Sequence, residues 1–207
     1  MMVKKLAPLS GALFFVLLVA AVVTGTNSLK ASSSSAKVLT YYVAHRNDVR
    51  LSSVLTLLAA VVAVLFYGLL RDFLRRHEAS RGLTATAFGG VILFAASVTV
   101  SAGTLWALAD SPTHLSPASA QTLNLIDTDV SSPIAFAGLA IWFLCFGLAI
   151  ANSDLLPRWL GWVAFPLAIV AVIPSIGFVA WLGAAFWTLI VSVTMWRRPI
   201  GTPAIAG

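Results

Sequence analysis

Charge is scarce in this sequence: 10% of its 207 residues are charged and 59% are apolar. A soluble domain carries about 25% charged and about 45 to 50% apolar residues. Too few ionic groups remain to coat a globule of this size, so lipid rather than water is the solvent for most side chains. Cysteine is nearly absent. The one cysteine, Cys145, sits inside an apolar run, which excludes an intramolecular disulfide and a thiolate metal cluster and reads as a small buried apolar residue. Catalytic signatures are missing too: the sequence holds no glycine loop ending in Lys-Ser or Lys-Thr, no His-Glu-x-x-His and no Gly-x-Ser-x-Gly. The net charge of +6 does not point to nucleic acid, because the cations sit in short clusters at the ends of apolar runs rather than on one basic face.

The chain does have long apolar runs. About 20 apolar residues cross the hydrocarbon core as a helix, and six stretches meet that need, at about 6–24, 52–70, 83–108, 130–151, 157–173 and 176–196. The last two come from one tract, Trp159 to Trp196, which as a single helix would be about 57 Å long and overrun the bilayer. Pro174, Ser175 and Gly177 supply the break that folds it into a hairpin. The fold class is therefore all-α: a single polytopic transmembrane bundle of six spans, multi-pass in the cell membrane.

Orientation follows from Lys and Arg. Nine (Lys4, Lys5, Arg71, Arg75, Arg76, Arg81, Arg158, Arg197 and Arg198) fall on one side of the six-span arrangement, and four (Lys30, Lys37, Arg46 and Arg50) on the other. The first side is cytoplasmic and carries both termini; its cations also suit anionic lipids. Trp159, Trp162 and Trp196 fall at inner helix ends, Trp106 and Trp181 near outer ends. An alternative takes Lys4, Lys5 and the run Gly11 to Val23 as a cleaved signal peptide, leaving five spans. Against it, the apolar run begins at Leu6 and no small-x-small site directly follows.

Both longer outer loops are partly ordered by pattern. Val38, Leu39, Tyr42 and Val43 recur at helical spacing over Ala36 to Arg46, an amphipathic helix lying on the outer surface, after which Asn47 or Asp48 caps the next helix. Ser116-Pro117 is a helix-start signal, and Pro133 is expected to kink the fourth span near the membrane boundary.

None of the six stretches contains an ionisable Asp, Glu, Lys, Arg or His in its interior, which argues against an ion-driven pump and against a bis-histidine haem. The outer loops do gather polar groups: Tyr41, Tyr42, His45, Arg46, Asp48 and Arg50, then Asp110, His114, Asn124, Asp127 and Asp129. His45, His114, Asp127 and Asp129 are the residues an outer-face enzyme would use. The blander reading pairs Arg46 or Arg50 with Asp127 or Asp129 to tie two loops together, and Asp127-Thr128-Asp129 alone is a weak metal signal. Within the bundle Ser97-x-x-x-Ser101, Gly147-x-x-x-Ala151 and Ala180-x-x-x-Ala184 mark close helix approach, as do Gly89 and Gly90. Ser97, Thr99, Ser101 and Thr104 either line a polar cavity or bond their own backbone. No catalytic, cofactor-binding or metal residue is assigned.

Tyr41-Tyr42 through His45-Arg46, Leu70-Arg71 with Arg75-Arg76, and Leu156-Pro157-Arg158-Trp159-Leu160-Gly161-Trp162 together resemble a family of small bacterial six-span membrane proteins defined by a domain of unknown function. The resemblance covers nearly the whole chain and implies the topology; it implies no activity. Three roles stay open: a non-enzymatic structural or accessory membrane protein, with a membrane-protein partner or as a homo-oligomer; a carrier or binder of apolar or lipidic molecules; and an outer-face enzyme.

Overall fold

The computed structural model describes residues 7–25, 29–76, 80–110, 114–173 and 176–197, and all regular structure among them is helical. After a 3-10 turn at Ala7–Leu9, the helices are α1 (Ser10–Thr24), α2 (Ser35–Ala44), α3 (Arg46–Leu74), α4 (Arg81–Asp110) and α5 (Pro117–Leu125). A π turn, Ile126–Ser131, joins α5 to α6 (Ser132–Ala151), and α7 (Arg158–Ala171) and α8 (Gly177–Arg197) follow. Among the described residues, four helical stretches are long and apolar enough to cross a membrane: α3, α4, the continuous run Pro117–Ala151, and α8. Helices α1 and α7 are apolar but shorter, at 15 and 14 residues.

What faces outward shows why this is a membrane fold. On α3, Leu51, Val54, Leu58, Val61 and Leu65 are each between 39% and 60% exposed and recur every three to four residues, so they form one stripe. A soluble bundle would place Lys and Glu there. The opposite side of the same helix, Ala59, Ala60, Ala63, Phe66, Tyr67 and Leu70, is buried. Both faces are apolar, and the outward one carries the bulky aliphatic residues that suit lipid.

Helices adjacent in sequence pack side by side: α1 against α3, α3 against α4, α4 against α6, α6 against α7 and α7 against α8. Helix α8 then returns to α1, so the six apolar helices close a ring. Glycine sets how tightly two of the joints shut. A Cβ on Gly90 would lie 2.7 Å from the Trp142 nitrogen, and one on Gly138 2.6 Å from the Phe94 nitrogen, so α4 and α6 cross backbone to backbone. Gly147 and Gly161 do the same for α6 and α7, where a Cβ on Gly161 would sit 2.6 Å from the Gly147 oxygen. Of the Gly89-Gly90 pair only Gly90 is such a position; Gly89 faces open space.

One half of the ring is filled by aromatic residues. Trp142 packs on Phe143 at 5.3 Å, on Tyr67 at 4.3 Å and on Phe94 at 5.7 Å between ring centroids, and Phe143 meets Trp187 at 5.8 Å. Two polar groups in this plug have partners, the Tyr67 hydroxyl bonding the Thr188 hydroxyl and the Trp187 indole donating to the Leu160 carbonyl at 2.9 Å, whereas the buried Trp142 indole nitrogen has none among the described residues. In lipid an unmet donor costs several kcal/mol, roughly the cost of transfer to hydrocarbon.

Several sequence expectations change. Asn47 and Asp48 do not cap α3, which begins at Arg46 after His45; Asp48 lies instead in the first turn, where its charge complements the helix dipole. Gly177 is no turn residue: it is the first residue of α8, buried against the Phe136 ring, which a Cβ would meet at 3.0 Å. Pro174 and Ser175 lie outside the described residues, as do Lys4, Lys5 and Arg198. Ser116 caps α5 as expected, accepting from the Ser119 amide at 3.1 Å. Pro133 has its effect as the π turn just before it. Its ring cannot sit over the carbonyl of residue 129 in a regular helix, and the backbone widens so that the Ser132 amide bonds the Asp127 carbonyl.

Candidate ligand cavity

The other half of the ring is hollow. A cavity of about 410 Å³ lies among the C-terminal end of α1, the N-terminal turns of α3, the C-terminal half of α4, the π turn with the start of α6, and the start of α8. Helix α7 contributes nothing to it. The volume falls within the roughly 300 to 1,000 Å³ range of small-molecule sites.

Its lining is two-sided. Val22, Val98, Leu105, Ala135, Phe136, Phe178 and Trp181 give an apolar wall, and Ser52, Ser53, Thr56, Ser97, Ser101, Ser131 and Ser132 give hydroxyls around the one carboxylate, Asp127. Most hydroxyls are committed to the protein. Ser52 donates to the Ala21 carbonyl at 2.9 Å, Ser53 to the Val49 carbonyl at 2.8 Å and Ser132 to the Asp127 carbonyl at 3.1 Å; Ser97 donates to the Ser131 carbonyl and Ser101 to Asp127 Oδ1. Ser131 Oγ is the exception. Its side chain is 3% exposed and has no hydrogen-bond partner among the described residues.

Asp127 is 5% exposed. Among the described residues no cation reaches ion-pair distance of it. Arg46 and Arg50, which the sequence offered as partners for Asp127 or Asp129, pair with Asp110: Arg50 directly, and Arg46 through the Asp110 backbone carbonyl at 3.0 Å. Arg50 also lies over the Trp106 ring at 5.6 Å. The π turn separates the two acids, burying Asp127 and leaving Asp129 exposed.

A small cap sits on this end of the ring, where α2 packs on α5 around Val38, Tyr42, Val49, Leu108, Ala109 and Ala120. Tyr42 donates to Asn124 Oδ1 at 3.3 Å, and Asn124 and Gln121 reach back to the Leu29 and Ala31 carbonyls at 3.4 and 2.7 Å. Burial first, then the neighbouring Asp127 carboxylate and Tyr41, push the Tyr42 phenol above its ordinary range.

The four residues named for an outer-face enzyme are not assembled. The His45 Nδ1 faces the Tyr41 carbonyl at 3.0 Å with its ring against Tyr41, His114 and Asp129 are exposed, and only Asp127 lines the cavity. No group of three or more His, Cys, Asp or Glu that could hold a metal occurs among the described residues. Of the four hydroxyls proposed for a polar cavity, Ser97 and Ser101 line it, whereas Thr99 and Thr104 bond the Ala95 and Ser101 carbonyls of their own helix. Sequence reasoning missed Ser131, Phe136 and Phe178 as lining residues, and did not foresee that Trp181, expected near an outer helix end, lines the cavity.

A closed ring of apolar helices with a polar-floored hollow at one end defines an all-α, multi-pass membrane protein. The chain belongs to the family described as Domain of unknown function (DUF4386), whose model matches residues 9–204. Neither a curated protein nor a solved structure matches it.

Proposed function

We propose that this is a non-enzymatic protein of the bacterial cytoplasmic membrane that binds a small amphipathic molecule in the hollow half of its ring. The observation that carries the reading is the cavity itself: an apolar wall faces the Asp127 carboxylate, which accepts from Ser101, and the buried Ser131 hydroxyl, which has no partner among the described residues. Buried polar groups in this condition are costly, so a ligand that meets them is favoured. Of the three roles open in the sequence, binder or carrier is the one this geometry favours; an accessory subunit gains no feature of its own.

The reading includes six crossings with both termini cytoplasmic. With its leading 3-10 turn α1 covers 18 residues, about 27 Å at 1.5 Å per residue, close to the roughly 30 Å hydrocarbon core. The nine-to-four distribution of Lys and Arg places the aromatic plug towards the cytoplasm and anionic lipids, and the cavity towards the outer leaflet.

Native mass spectrometry of protein released from nanodiscs tests the binding. A retained small molecule in the intact protein, absent after Ala135→Phe fills the cavity, is the expected result; a ligand-free protein whose mass spectrum is unchanged by added amphiphiles would oppose the reading. Single cysteines placed at Arg75 and Ser34 in a Cys145→Ser background should react with an impermeant maleimide from opposite sides of the membrane.

A further inference from the structure

Resting on the binding reading above, we infer that the cavity selects a lipophilic amine: a protonated amino group set between Asp127 and Ser131, with its apolar body against Phe136, Phe178 and Trp181. The charge sign follows from the lining. Among the described residues, Asp127 is the only ionisable group in the wall, and no Lys, Arg or His lines it. A carboxylate or phosphate ligand would meet the ionised Asp127 with no cation among the described lining residues to offset the repulsion, which disfavours fatty acids and makes a phospholipid, whose phosphate would have to enter beside its amine, a poor fit. A neutral alcohol is tolerated, yet it leaves the carboxylate without a counter-charge.

The donor count points the same way. Asp127 Oδ1 accepts from Ser101, while Oδ2 has no donor among the described residues. Ser131 Oγ is buried without a partner among the described residues, and the Ser131 carbonyl already accepts from Ser97, so the hydroxyl oxygen is open to a ligand donor while its O–H remains a donor as well. A single ammonium group, with three N–H donors and no acceptor, meets both needs at once. The aromatic wall contributes on either side of the charge: its faces attract a desolvated cation and its area buries the body of the ligand. The volume of about 410 Å³ suits a molecule of roughly ten to fifteen non-hydrogen atoms rather than a two-chain lipid.

The test uses three probes of one shape, 4-phenylbutylamine, 4-phenylbutanol and 4-phenylbutanoate, titrated at pH 7 into the full-length protein in phosphatidylcholine nanodiscs, with empty nanodiscs subtracted. The amine should bind at least ~10-fold tighter than the alcohol, in line with hydrogen bonds to charged groups, and the carboxylate should not bind. Asp127→Asn should bring the amine and alcohol to within about threefold of each other while keeping alcohol binding, and Ser131→Ala should weaken the amine several-fold. Adding phosphatidylethanolamine to the nanodisc should leave the amine affinity unchanged; competition would assign the site to an aminolipid headgroup and overturn the free-amine assignment. Equal affinity for amine and alcohol in the unaltered protein, or preference for the carboxylate, overturns the inference and leaves the binding reading standing. Failure of all three probes on folded protein overturns both, and because the three-probe comparison is made on the unaltered chain, a variant that does not fold cannot rescue either.

Discussion

Gly89 and Gly90 are neighbours on one helix with opposite surroundings. Gly90 is pressed against the α6 backbone, and Gly89 faces open space. Replacing Gly90 by alanine forces α4 and α6 apart and should destabilise by about 1 to 3 kcal/mol, as overpacking does. Gly89→Ala should be neutral or stabilising by up to about 1 kcal/mol through helix propensity. The midpoints of thermal unfolding in detergent, compared side by side, check both. The same contrast marks what was legible at this scale. Close approach at Gly147 could be read from a small residue one turn on, and at Gly90 from the glycine pair, since little else explains them inside lipid. Which hydroxyl lines a cavity could not: Ser97 and Thr99 are two residues apart in a tract that is apolar on every face, and a helix apolar all round carries no sign of which side points inward. Trp181 and Phe178 were hidden as lining residues for that reason.

Among the elements, the π turn at Ile126–Ser131 has the largest effect on function for its length. Pro133 imposes it, and it sets Asp127 inward and Asp129 outward. Pro133→Ala restores a backbone donor and permits a regular helix through the segment. Since a helix-interior proline costs about 3 kcal/mol, the variant should unfold later than the parent. Returning the turn to a regular helix rotates what precedes it by about 100° per residue removed, so the same variant should lose its preference for the amine over the alcohol. A less stable variant with intact preference would contradict this account of the turn. Sequence reading expected a kink at Pro133; the distortion takes the form of a widened turn, with the Ser132 amide reaching the Asp127 carbonyl. The cap gives a pH prediction. Tyr42 is raised above its ordinary value of 10.0 in the folded protein. The neutral phenol is favoured by folding, so its contribution is complete below about pH 10 and falls as pH rises above that value. Hydrogen exchange in α2 and α5 should therefore quicken above about pH 10, and Tyr42→Phe should flatten that dependence. Asn124→Ala should loosen the same two helices by about 1 to 3 kcal/mol at neutral pH, through the buried partners it strands.

For the whole molecule, apolar content alone established the class, because no arrangement of these residues dissolves in water. The ring was not legible. Its order of neighbours follows chain order, as connections usually do, but closure depends on α8 reaching α1, and that contact leaves only Gly11, Phe15 and Phe186 as signs in sequence. Gly11 lets Phe66 and Ser192 approach, Phe15 meets Phe186 at 5.2 Å between ring centroids, and the Ser192 hydroxyl donates to the Pro8 carbonyl at 2.5 Å. A bulky residue in place of Gly11, such as valine, should open this seam and lower the thermal midpoint without abolishing membrane insertion.

That seam also dictates a schedule. The surface of α1 that α8 covers is made before α8 and waits in the bilayer, unmatched, until α8 has been synthesised. Without α8 the remaining helices form an open horseshoe, and the cavity loses the wall that Phe178 and Trp181 give it.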